Sequence, residues 1–374
     1  MQHQSLPTGS HKIIIAMSGG VDSSVAAALL KRAGFNVAGV FMRFWHESGK
    51  AENRCCSSDS EKRARAVASK LGIPFYAFNF EKEFKKRIVD CFLRDYKAGL
   101  TPNPCVVCNK EIKFGLLLEK ALALGADFIA TGHYVKIHKF VNSKQIRYSL
   151  MTAQDKAKDQ SYFLWQLNQK QLSRVLFPVG DYTKPEVRKL AKRFGLPTAA
   201  TPDSQEVCFV PDTINNFLAK YIKPKPGHIC ASSEEAQIVL PPRKHKPKPK
   251  HQGLAFYTIG QRKGIGLSGG PYWVLGKNFK KNRLIVTKNQ KDLLKKELIF
   301  KNANWLSVEP KLPLRVMAKI RYRSKISAAM LYKNKLIFNR PQRAITPGQS
   351  VVFYLPRRQA GKGQELIGGG IISS

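Results

Sequence analysis

The chain has 374 residues, of which 43% are hydrophobic, so it is long enough for two or three folded domains with real cores. Lysine and arginine total 64 against 25 acidic residues, and the net charge of +39 favours a polyanionic partner, most simply a nucleic acid. No apolar run approaches the length of a membrane span, and residues 1–10 lack the apolar core of a signal peptide. We therefore expect a cytoplasmic protein with no membrane association.

The first folded segment is predicted to be a strand, a glycine turn and a helix. The apolar run 12–17 is strand-like, the loop 18–24 reads SGGVDSS, and an alanine-rich helix follows and stops at Gly34. Such a turn directs backbone N–H groups and the positive end of the helix dipole at one point, and its glycines let a ligand approach closely. The loop has neither the Gly-Lys-Ser/Thr ending of a Walker loop nor the GxGxxG pattern. It predicts a site for phosphate or pyrophosphate, and it resembles the PP-loop of ATP pyrophosphatases.

The remainder of the first half alternates strands with helices. Apolar runs at 35–42, 75–80 and 128–134 are interpreted as strands, and the segments 61–71, 81–98 and 110–124 as helices. Alternation of this kind predicts a doubly wound parallel sheet, which binds ligands at the carboxyl ends of its strands. The phosphate loop, Met42 and Gly132 all fall at such ends.

The pattern changes from about residue 213. The stretch 241–250 is rich in proline and lysine, which predicts a solvated surface loop, with RNA contact as an alternative. Short β-like runs at 315–322, 335–338 and 350–354 are separated by turns and predict a small barrel or sandwich. We expect three domains, at residues 1–212, 213–290 and 291–374.

The chain contains seven cysteines, an odd number that argues against a disulfide framework and for reactive or buried thiols. Cys105 and Cys108 form a Cys-x-x-Cys pair, but a zinc site needs two more ligands, and the adjacent Cys55 and Cys56 do not supply them. A redox pair stays open, although the thioredoxin-like context is missing. Cys108 lies near the predicted start of a helix and near two lysines, both of which favour the reactive thiolate. No resident metal site is predicted.

Six motifs follow one another in the order found in tRNA-specific 2-thiouridylases. They are SGGVDS at 18–23, TPNP at 101–104 with CNKEIKF at 108–114, TGHY at 131–134, KDQSYFL at 158–164, DSQEVCF at 203–209 and GLAFYTIGQRKG at 253–264. The chain is similar to this family from about His11 to its C-terminus. The resemblance implies an α/β fold with a doubly wound parallel sheet of the PP-loop, adenine nucleotide alpha-hydrolase-like type, followed by a small central domain and a C-terminal β-barrel.

The resemblance also implies a reaction, which is ATP-dependent 2-thiolation of the wobble uridine in tRNA of the lysine, glutamate and glutamine type. ATP and Mg²⁺ would be the cofactors, and adenylation of uridine O2 would precede displacement by sulfur. The family carries its sulfur as a persulfide at the position of Cys208, received from a sulfur-relay protein or a cysteine desulfurase. Cys108 would be the catalytic nucleophile and would form a redox pair with Cys208, and Asp22 would also be catalytic.

Two sets of binding residues come with the resemblance. The ATP-binding set is Ile15, Ala16, Met17, Ser18, Gly19, Gly20, Val21, Asp22, Ser23, Met42 and Gly132. The set facing the tRNA or its target base is Asn103, Pro104, Cys105, His133, Lys158, Asp159, Gln160, Arg321, Tyr322 and Gln349.

This sequence departs from the family pattern at two places. Cys105 stands where many relatives have aspartate, and we interpret it as a bystander thiol. The basic insertion at 241–250 replaces a short β-turn. Two other functions stay open from the residues alone: an adenylating amidoligase of the GMP-synthetase type, which does not explain the two thiols, and a non-enzymatic RNA-binding protein, which does not explain the PP-loop.

Overall fold

The computed structural model describes residues 11–47, 57–141, 146–203, 207–232, 237–239, 249–356 and 363–373. The α-helices of this part of the chain are α1 (Val21–Arg32), α2 (Ser58–Leu71), α3 (Glu81–Phe84), α4 (Asp90–Lys97), α5 (Pro104–Cys108), α6 (Leu117–Ala123), α7 (Gln169–Leu172), α8 (Lys184–Arg193) and α9 (Ile214–Tyr221). The π-helical segment Lys85–Val89 joins α3 to α4, and a second one, Asn109–Leu116, joins α5 to α6.

The strands of the N-terminal half are β1 (Lys12–Ala16), β2 (Asn36–Arg43), β3 (Phe75–Asn79), β4 (Phe128–Ala130), β5 (Val135–Val141), β6 (Ile146–Thr152) and β7 (Val175–Leu176). Those of the C-terminal half are β8 (Gly227–Ser232), β9 (Gln237–Val239), β10 (Lys250–His251), β11 (Trp273–Asn278), β12 (Arg283–Thr287), β13 (Leu294–Trp305), β14 (Leu314–Lys319), β15 (Ser327–Leu331), β16 (Lys335–Arg343), β17 (Ser350–Tyr354) and β18 (Glu365–Ile372).

The first sheet is parallel, with the order β3-β2-β1-β4-β7. Its central strand β1 is buried on both faces, because Ile13 and Ile15 pack into one hydrophobic cluster while Ile14 packs into another. Helices cover both faces, which is the doubly wound arrangement that the alternating pattern predicts. The prediction of an α/β fold with this sheet is confirmed.

Helix α1 follows the phosphate loop directly. Its alanines at 26–28 are fully buried against the sheet, and it ends before Gly34, which has a φ of +87°. Asp22 lies in its first turn and Arg32 in its last turn, so both charges complement the helix dipole.

Three helices differ from the prediction, and the first of them, expected at 61–71, begins three residues earlier at Ser58, after the N-cap Ser57. The helix expected at 110–124 begins six residues earlier, at Pro104, because proline is favoured at the first helical position. The helix expected from 81 to 98 is continuous but passes through the π-helical segment 85–89.

The second sheet belongs to the central region and has the order β10-β8-β12-β11, with β9 on the edge of β8. Most of the basic insertion, residues 241–248, lies outside the described residues, as do Cys55 and Cys56. The predictions made for them therefore stay predictions.

The third sheet is a barrel, in which β13, β16, β15, β14, β17 and β18 pair in turn and β18 pairs again with β13. The hairpin β5–β6 of the N-terminal half joins the barrel at β18, where Leu366 pairs with Leu150. Glu365 Oε1 accepts hydrogen bonds from Arg147 and from Ser149 Oγ, each 2.7 Å long. The N-terminal and C-terminal domains therefore share one β-structure. Among the described residues no helix is both long and apolar enough to cross a bilayer.

Candidate active site

The phosphate loop between β1 and α1 is held by its own side chains. Ser23 Oγ accepts a hydrogen bond from Ser18 N at 3.2 Å and donates one to the carbonyl of Gly20 at 3.1 Å. Gly19 has a φ of +72°, and a Cβ there would lie 2.2 Å from the carbonyl oxygen of Ser60, so the loop requires glycine at this position. The loop is preshaped around free space at the start of α1, where backbone N–H groups favour an anion.

The neighbouring strands bring the rest of the predicted ATP-binding set to the same edge of the sheet. Ile15 and Ala16 are the buried end of β1, Met17 follows them and is also buried, and Met42 is half-buried near the end of β2. Gly132 follows β4 and packs against the start of α1. The loop therefore lies at the switch point of the sheet, since β2 and β4 flank β1.

Gly132→Ala is expected to lower both ATP affinity and thermal stability. A Cβ at Gly132 would lie 2.6 Å from Ser23 N and 2.7 Å from the carbonyl carbon of Asp22, so the start of α1 would have to move. Overpacking of this kind costs about 1–3 kcal/mol of unfolding free energy. Calorimetric unfolding and ATP titration would measure both effects. Gly276→Ala is the control, because its nearest neighbour would be Ile285 Cδ1 at an ordinary 3.6 Å; equal effects in both variants would contradict the prediction.

Asp22 projects from the first turn of α1 into an ionic network. Its Oδ1 accepts hydrogen bonds from Tyr134 Oη and from Lys184 Nζ, each 2.7 Å long, and its Oδ2 lies 2.8 Å from the same ammonium. Burial, with the Asp22 carboxylate next in effect, raises the pKa of Tyr134 far above its ordinary value, so this phenol is a hydrogen-bond donor at neutral pH.

The same network contains a second carboxylate, Asp203. Its Oδ1 lies 2.9 Å from Lys184 Nζ and 2.8 Å from a nitrogen of Arg188, and its Oδ2 lies 2.7 Å from Lys158 Nζ. Burial alone would raise the pKa of Asp203, but the hydrogen bonds from Lys158 and Lys184 outweigh it and lower the pKa to about 2. Asp203 is therefore ionised at neutral pH.

Sequence reasoning missed Lys184, Arg188, Tyr134 and Asp203 as functional residues. Tyr134 and Asp203 stand inside the motifs TGHY and DSQEVCF, which gave a signal for them, whereas Lys184 and Arg188 belong to no quoted motif. A capping box formed by Thr183 and Glu186 does predict a helix start at this point, although it does not predict a functional lysine.

The predicted thiol segment is a helix entered from the loop 99–103. Asn103 is the residue before α5, Pro104 is its first residue, Cys105 is exposed, and Cys108 is 8% exposed at the α5 end. Cys108 therefore lies one turn inside a helix, whereas the sequence pattern predicted a position near the start of a helix. It belongs to a large apolar cluster that also includes residues of the central region and of the C-terminal barrel.

Cys208 is half-buried, and Val207 and Cys208 pack against the same apolar cluster that contains Cys108. Phe209 lies within that cluster, with its ring centroid 5.2 Å from that of Phe92. Residues 204–206 lie outside the described part of the chain. Both predicted thiols of the redox pair therefore border one apolar cluster, which extends through the N-terminal, central and C-terminal regions.

One cleft of about 1140 Å³ joins the phosphate loop to parts of all three predicted domains. The predicted residues that line it are Ser18, Gly20, Val21, Asp22, Asn103, Pro104, Cys105, Lys158, Gln160, Tyr322 and Gln349. Lining residues that sequence reasoning did not select include Lys113, Tyr134, Lys184, Asp203, Phe256, Thr258, Gln261 and Arg323. The predicted residues outside this lining are Ile15, Ala16, Met17, Gly19, Ser23, Met42, Cys108, Gly132, His133, Asp159, Cys208 and Arg321.

His133 lies beside the thiol helix. Its Nδ1 is 2.7 Å from Thr131 Oγ1, and its ring centroid is 5.8 Å from that of Phe114. Burial, aided by Lys113, lowers the pKa of His133 well below its ordinary value, so the imidazole is neutral at pH 7. In a neutral imidazole one nitrogen donates a hydrogen bond and the other accepts one. The ring then carries no positive charge that would attract phosphate.

Two residues of the predicted tRNA set are directed into the protein. Asp159 is 3% exposed, and its carboxylate accepts hydrogen bonds from Ala153 N at 3.0 Å and Ser161 Oγ at 2.9 Å. Arg321 donates to the carbonyls of Ile259 and Ala344, at 3.1 and 3.0 Å. Both side chains fix the backbone around the cleft, so a direct contact with tRNA does not follow from their positions.

Gln349 connects the barrel to the thiol segment. Its Nε2 donates to the carbonyl of Thr101 at 2.7 Å, and Thr101 N donates to the carbonyl of Pro347 at 2.9 Å. Tyr322 packs on Phe163, with ring centroids 4.4 Å apart. The barrel thus positions the backbone immediately before Asn103, at the wall of the cleft.

The fold and the cleft define a nucleotide-binding domain of the PP-loop class with two appended β-domains, and family models divide the chain in the same way. The tRNA methyl transferase HUP domain matches residues 11–212, the tRNA methyl transferase PRC-barrel domain matches 215–288, and the aminomethyltransferase β-barrel domain matches 295–372.

Curated relatives match almost the whole chain. The tRNA-specific 2-thiouridylase MnmA of Clostridioides difficile (strain 630) is 45% identical over 370 residues, which are 96% of this chain and 98% of that protein. The MnmA of Alkaliphilus oremlandii (strain OhILAs) is 44% identical over 356 residues, 92% of this chain and 93% of that protein. The chain belongs to the family of tRNA-specific 2-thiouridylases.

Proposed function

We propose that the protein is an ATP-dependent tRNA-uridine 2-sulfurtransferase that thiolates the wobble uridine of tRNA of the lysine, glutamate and glutamine type. The observation that carries the proposal is the single cleft, which exposes the phosphate loop, the start of the thiol helix and residues of both β-domains to one ligand. Such a cleft accommodates a nucleotide and an extended polyanion together. The family membership given above supports the same reaction.

The first step in this proposal is adenylation of uridine O2. A carbonyl oxygen is a poor leaving group and AMP is a good one, so cleavage between the α and β phosphates activates the base. The loop amides at the start of α1 would stabilise the charge on the departing pyrophosphate. Mg²⁺ would enter with ATP, and the Asp22 carboxylate, which in this structure holds Lys184 and Tyr134, would supply an oxygen donor of the kind that this ion prefers when Lys184 turns to a phosphate. The ion would neutralise phosphate charge.

The second step is sulfur transfer from a persulfide on Cys208. Its terminal sulfur would attack C2 of the adenylated uridine and expel AMP, which leaves the sulfur bonded to both C2 and Cys208. The Cys108 thiolate would then attack Cys208 Sγ, so that 2-thiouridine leaves and a Cys108–Cys208 disulfide forms. An external dithiol must reduce this disulfide, and a persulfide donor, either a sulfur-relay protein or a cysteine desulfurase, must reload Cys208. The motifs shared with the family support this pairing, and both thiols border one extended apolar cluster.

The net charge of +39 supports a grip on the phosphate backbone of tRNA. Of the proposed tRNA residues, Asn103, Lys158 and Tyr322 line the cleft, and Pro104, Cys105, Gln160 and Gln349 do so as well. We propose that His133, Asp159 and Arg321 act by positioning these neighbours. We also propose domain boundaries after residues 212 and 290, and a cytoplasmic site of action, where thiols stay reduced.

The test is mass spectrometry of nucleosides from tRNA treated with the purified protein, ATP, Mg²⁺, a persulfide source and a dithiol. We expect 2-thiouridine from the wild type and none above background from Cys208→Ser, since a serine hydroxyl cannot carry persulfide sulfur. Cys230→Ser is the matched control, because its thiol is buried in β8, away from the cleft lining. No 2-thiouridine from the wild type, with a donor that works on another sulfurtransferase, would contradict the proposed function.

A further inference from the structure

We propose that Lys184 binds the phosphates of ATP and so supplies the lysine that the loop 18–24 lacks. This inference rests on the proposed ATP-dependent function and adds a residue that the resemblance does not assign. Lys184 is the first residue of α8 and lies 162 positions from Asp22 along the chain. It nevertheless lines the same cleft as Ser18 and Gly20 of the loop.

The ammonium group of Lys184 is almost fully enclosed, with 8% of the residue exposed. It lies 2.7 and 2.8 Å from the two carboxylate oxygens of Asp22 and 2.9 Å from Asp203 Oδ1. A lysine ammonium has three N–H donors, and here all three have carboxylate acceptors. To bind Lys184, a phosphate oxygen beside the loop must therefore replace one of the two carboxylates as the acceptor of a hydrogen bond from the ammonium.

The position of this ammonium is determined by the fold. Val187 and Ala191, on the same helix, are fully buried in the cluster that also contains α1. The Lys184 backbone N–H donates to Asp155 Oδ2 at 2.9 Å, which fixes the first turn of α8. A cation held in this way is already positioned beside the loop, so binding an anion there requires only that it exchange one carboxylate oxygen for a phosphate oxygen.

The two carboxylates differ in what they retain if Lys184 turns to a phosphate. Asp203 keeps Lys158 at 2.7 Å and Arg188 at 2.8 Å, whereas Asp22 keeps only the phenol of Tyr134 among the described contacts. Releasing Asp203 therefore leaves that charge compensated. Asp203 is consequently the competitor of ATP for Lys184, and its removal should favour ATP.

This competition distinguishes phosphate binding by Lys184 from a purely structural role, because it predicts different effects of two substitutions on ATP affinity. Lys184→Met should weaken ATP binding about tenfold or more, the effect of losing a charge-assisted hydrogen bond. Asp203→Asn should leave ATP binding intact or tighten it about threefold, because one repulsive charge near the phosphates is lost. If Lys184 only held the two carboxylates together, both variants would weaken ATP binding.

The experiment is calorimetric titration of the full-length protein with ATP and with inorganic pyrophosphate, alongside ligand-detected NMR with adenosine. We expect Lys184→Met to lose affinity for both phosphate ligands and to keep adenosine binding within about twofold, since adenosine has no phosphate for the lysine to reach. Lys192→Met is the control, because it removes an exposed lysine from the same helix. Thermal unfolding of each variant identifies a loss of fold.

Unchanged ATP affinity in Lys184→Met, equal loss of ATP and adenosine affinity, or weaker ATP binding in Asp203→Asn would each overturn the assignment. Failure of the proposed function looks different. A wild type that binds ATP through Lys184 but forms no 2-thiouridine would retain this assignment and refute sulfur transfer, and a wild type that binds no ATP would refute both.

Discussion

Asp22→Asn is expected to lower tRNA-dependent release of pyrophosphate by about 100-fold or more, the loss typical of a misplaced electrostatic group in an active site. The carboxylate orients Lys184 through two contacts, of 2.7 and 2.8 Å, and accepts the phenol of Tyr134. An amide of the same shape keeps the first turn of α1 but presents only one acceptor oxygen and no charge. ATP binding should survive better than turnover, because Lys184 keeps its three donors.

Radiolabelled pyrophosphate, measured with and without tRNA, tests this expectation. The matched control is Asp59→Asn at the start of α2, whose carboxylate is 76% exposed and outside the cleft lining. The tRNA affinity should stay at the wild-type value in both variants, and the melting temperature should fall only in Asp22→Asn, because the enclosed Lys184 loses one of its two carboxylate partners. Pyrophosphate release within about threefold of the wild type in Asp22→Asn would show that this carboxylate has no part in the chemistry.

The sequence predicted the parallel sheet because that information is local. The run 13–16 is apolar throughout, as a strand covered on both faces must be, and the turn after it is fixed by Gly19. The attachment of the hairpin β5–β6 to the barrel was not predicted because the partner strand β18 is remote in the sequence. Leu150 pairs with Leu366, and the pattern of either strand alone does not specify that partner.

The candidate site was predicted unevenly for the same reason. The loop and the two thiols are recognised by short motifs, whereas the network around Asp22 depends on Lys184, which tertiary folding alone brings to it. Motif membership also does not distinguish a side chain in the cleft from one that supports it. Lys158 and Asp159 are neighbours in one motif, yet only Lys158 lines the cleft, while Asp159 is buried.

A nucleotide site and an RNA surface that worked separately would not need to share one cleft. Here residues of both β-domains lie in the same cleft as the phosphate loop. The barrel residue Gln349 hydrogen-bonds the backbone of Thr101 at 2.7 Å, two residues before Asn103 in the cleft wall. Phe256 and Gln261 of the central domain face the same space. The tRNA contacts proposed on both β-domains therefore lie beside the segment that leads to Cys108. In the proposed reaction adenylation depends on tRNA because the uridine of the tRNA accepts AMP.

Cys108→Ser is expected to separate the two proposed steps and to leave a covalent intermediate. With Cys208 loaded with persulfide and no dithiol present, the wild type should release about one 2-thiouridine per protein, because Cys108 resolves the bond between Cys208 and the base. Serine cannot attack a disulfide sulfur at neutral pH, so the variant should still release pyrophosphate but retain the tRNA on Cys208. A denaturing gel without reductant would show this species, and dithiothreitol would liberate the tRNA with its 2-thiouridine.

Cys91→Ser, which changes a half-buried thiol on α4, should behave as the wild type. A Cys108→Ser protein that releases free 2-thiouridine without a dithiol would exclude Cys108 as the resolving thiol, and one that forms neither product nor adduct would place Cys108 before attack on the base.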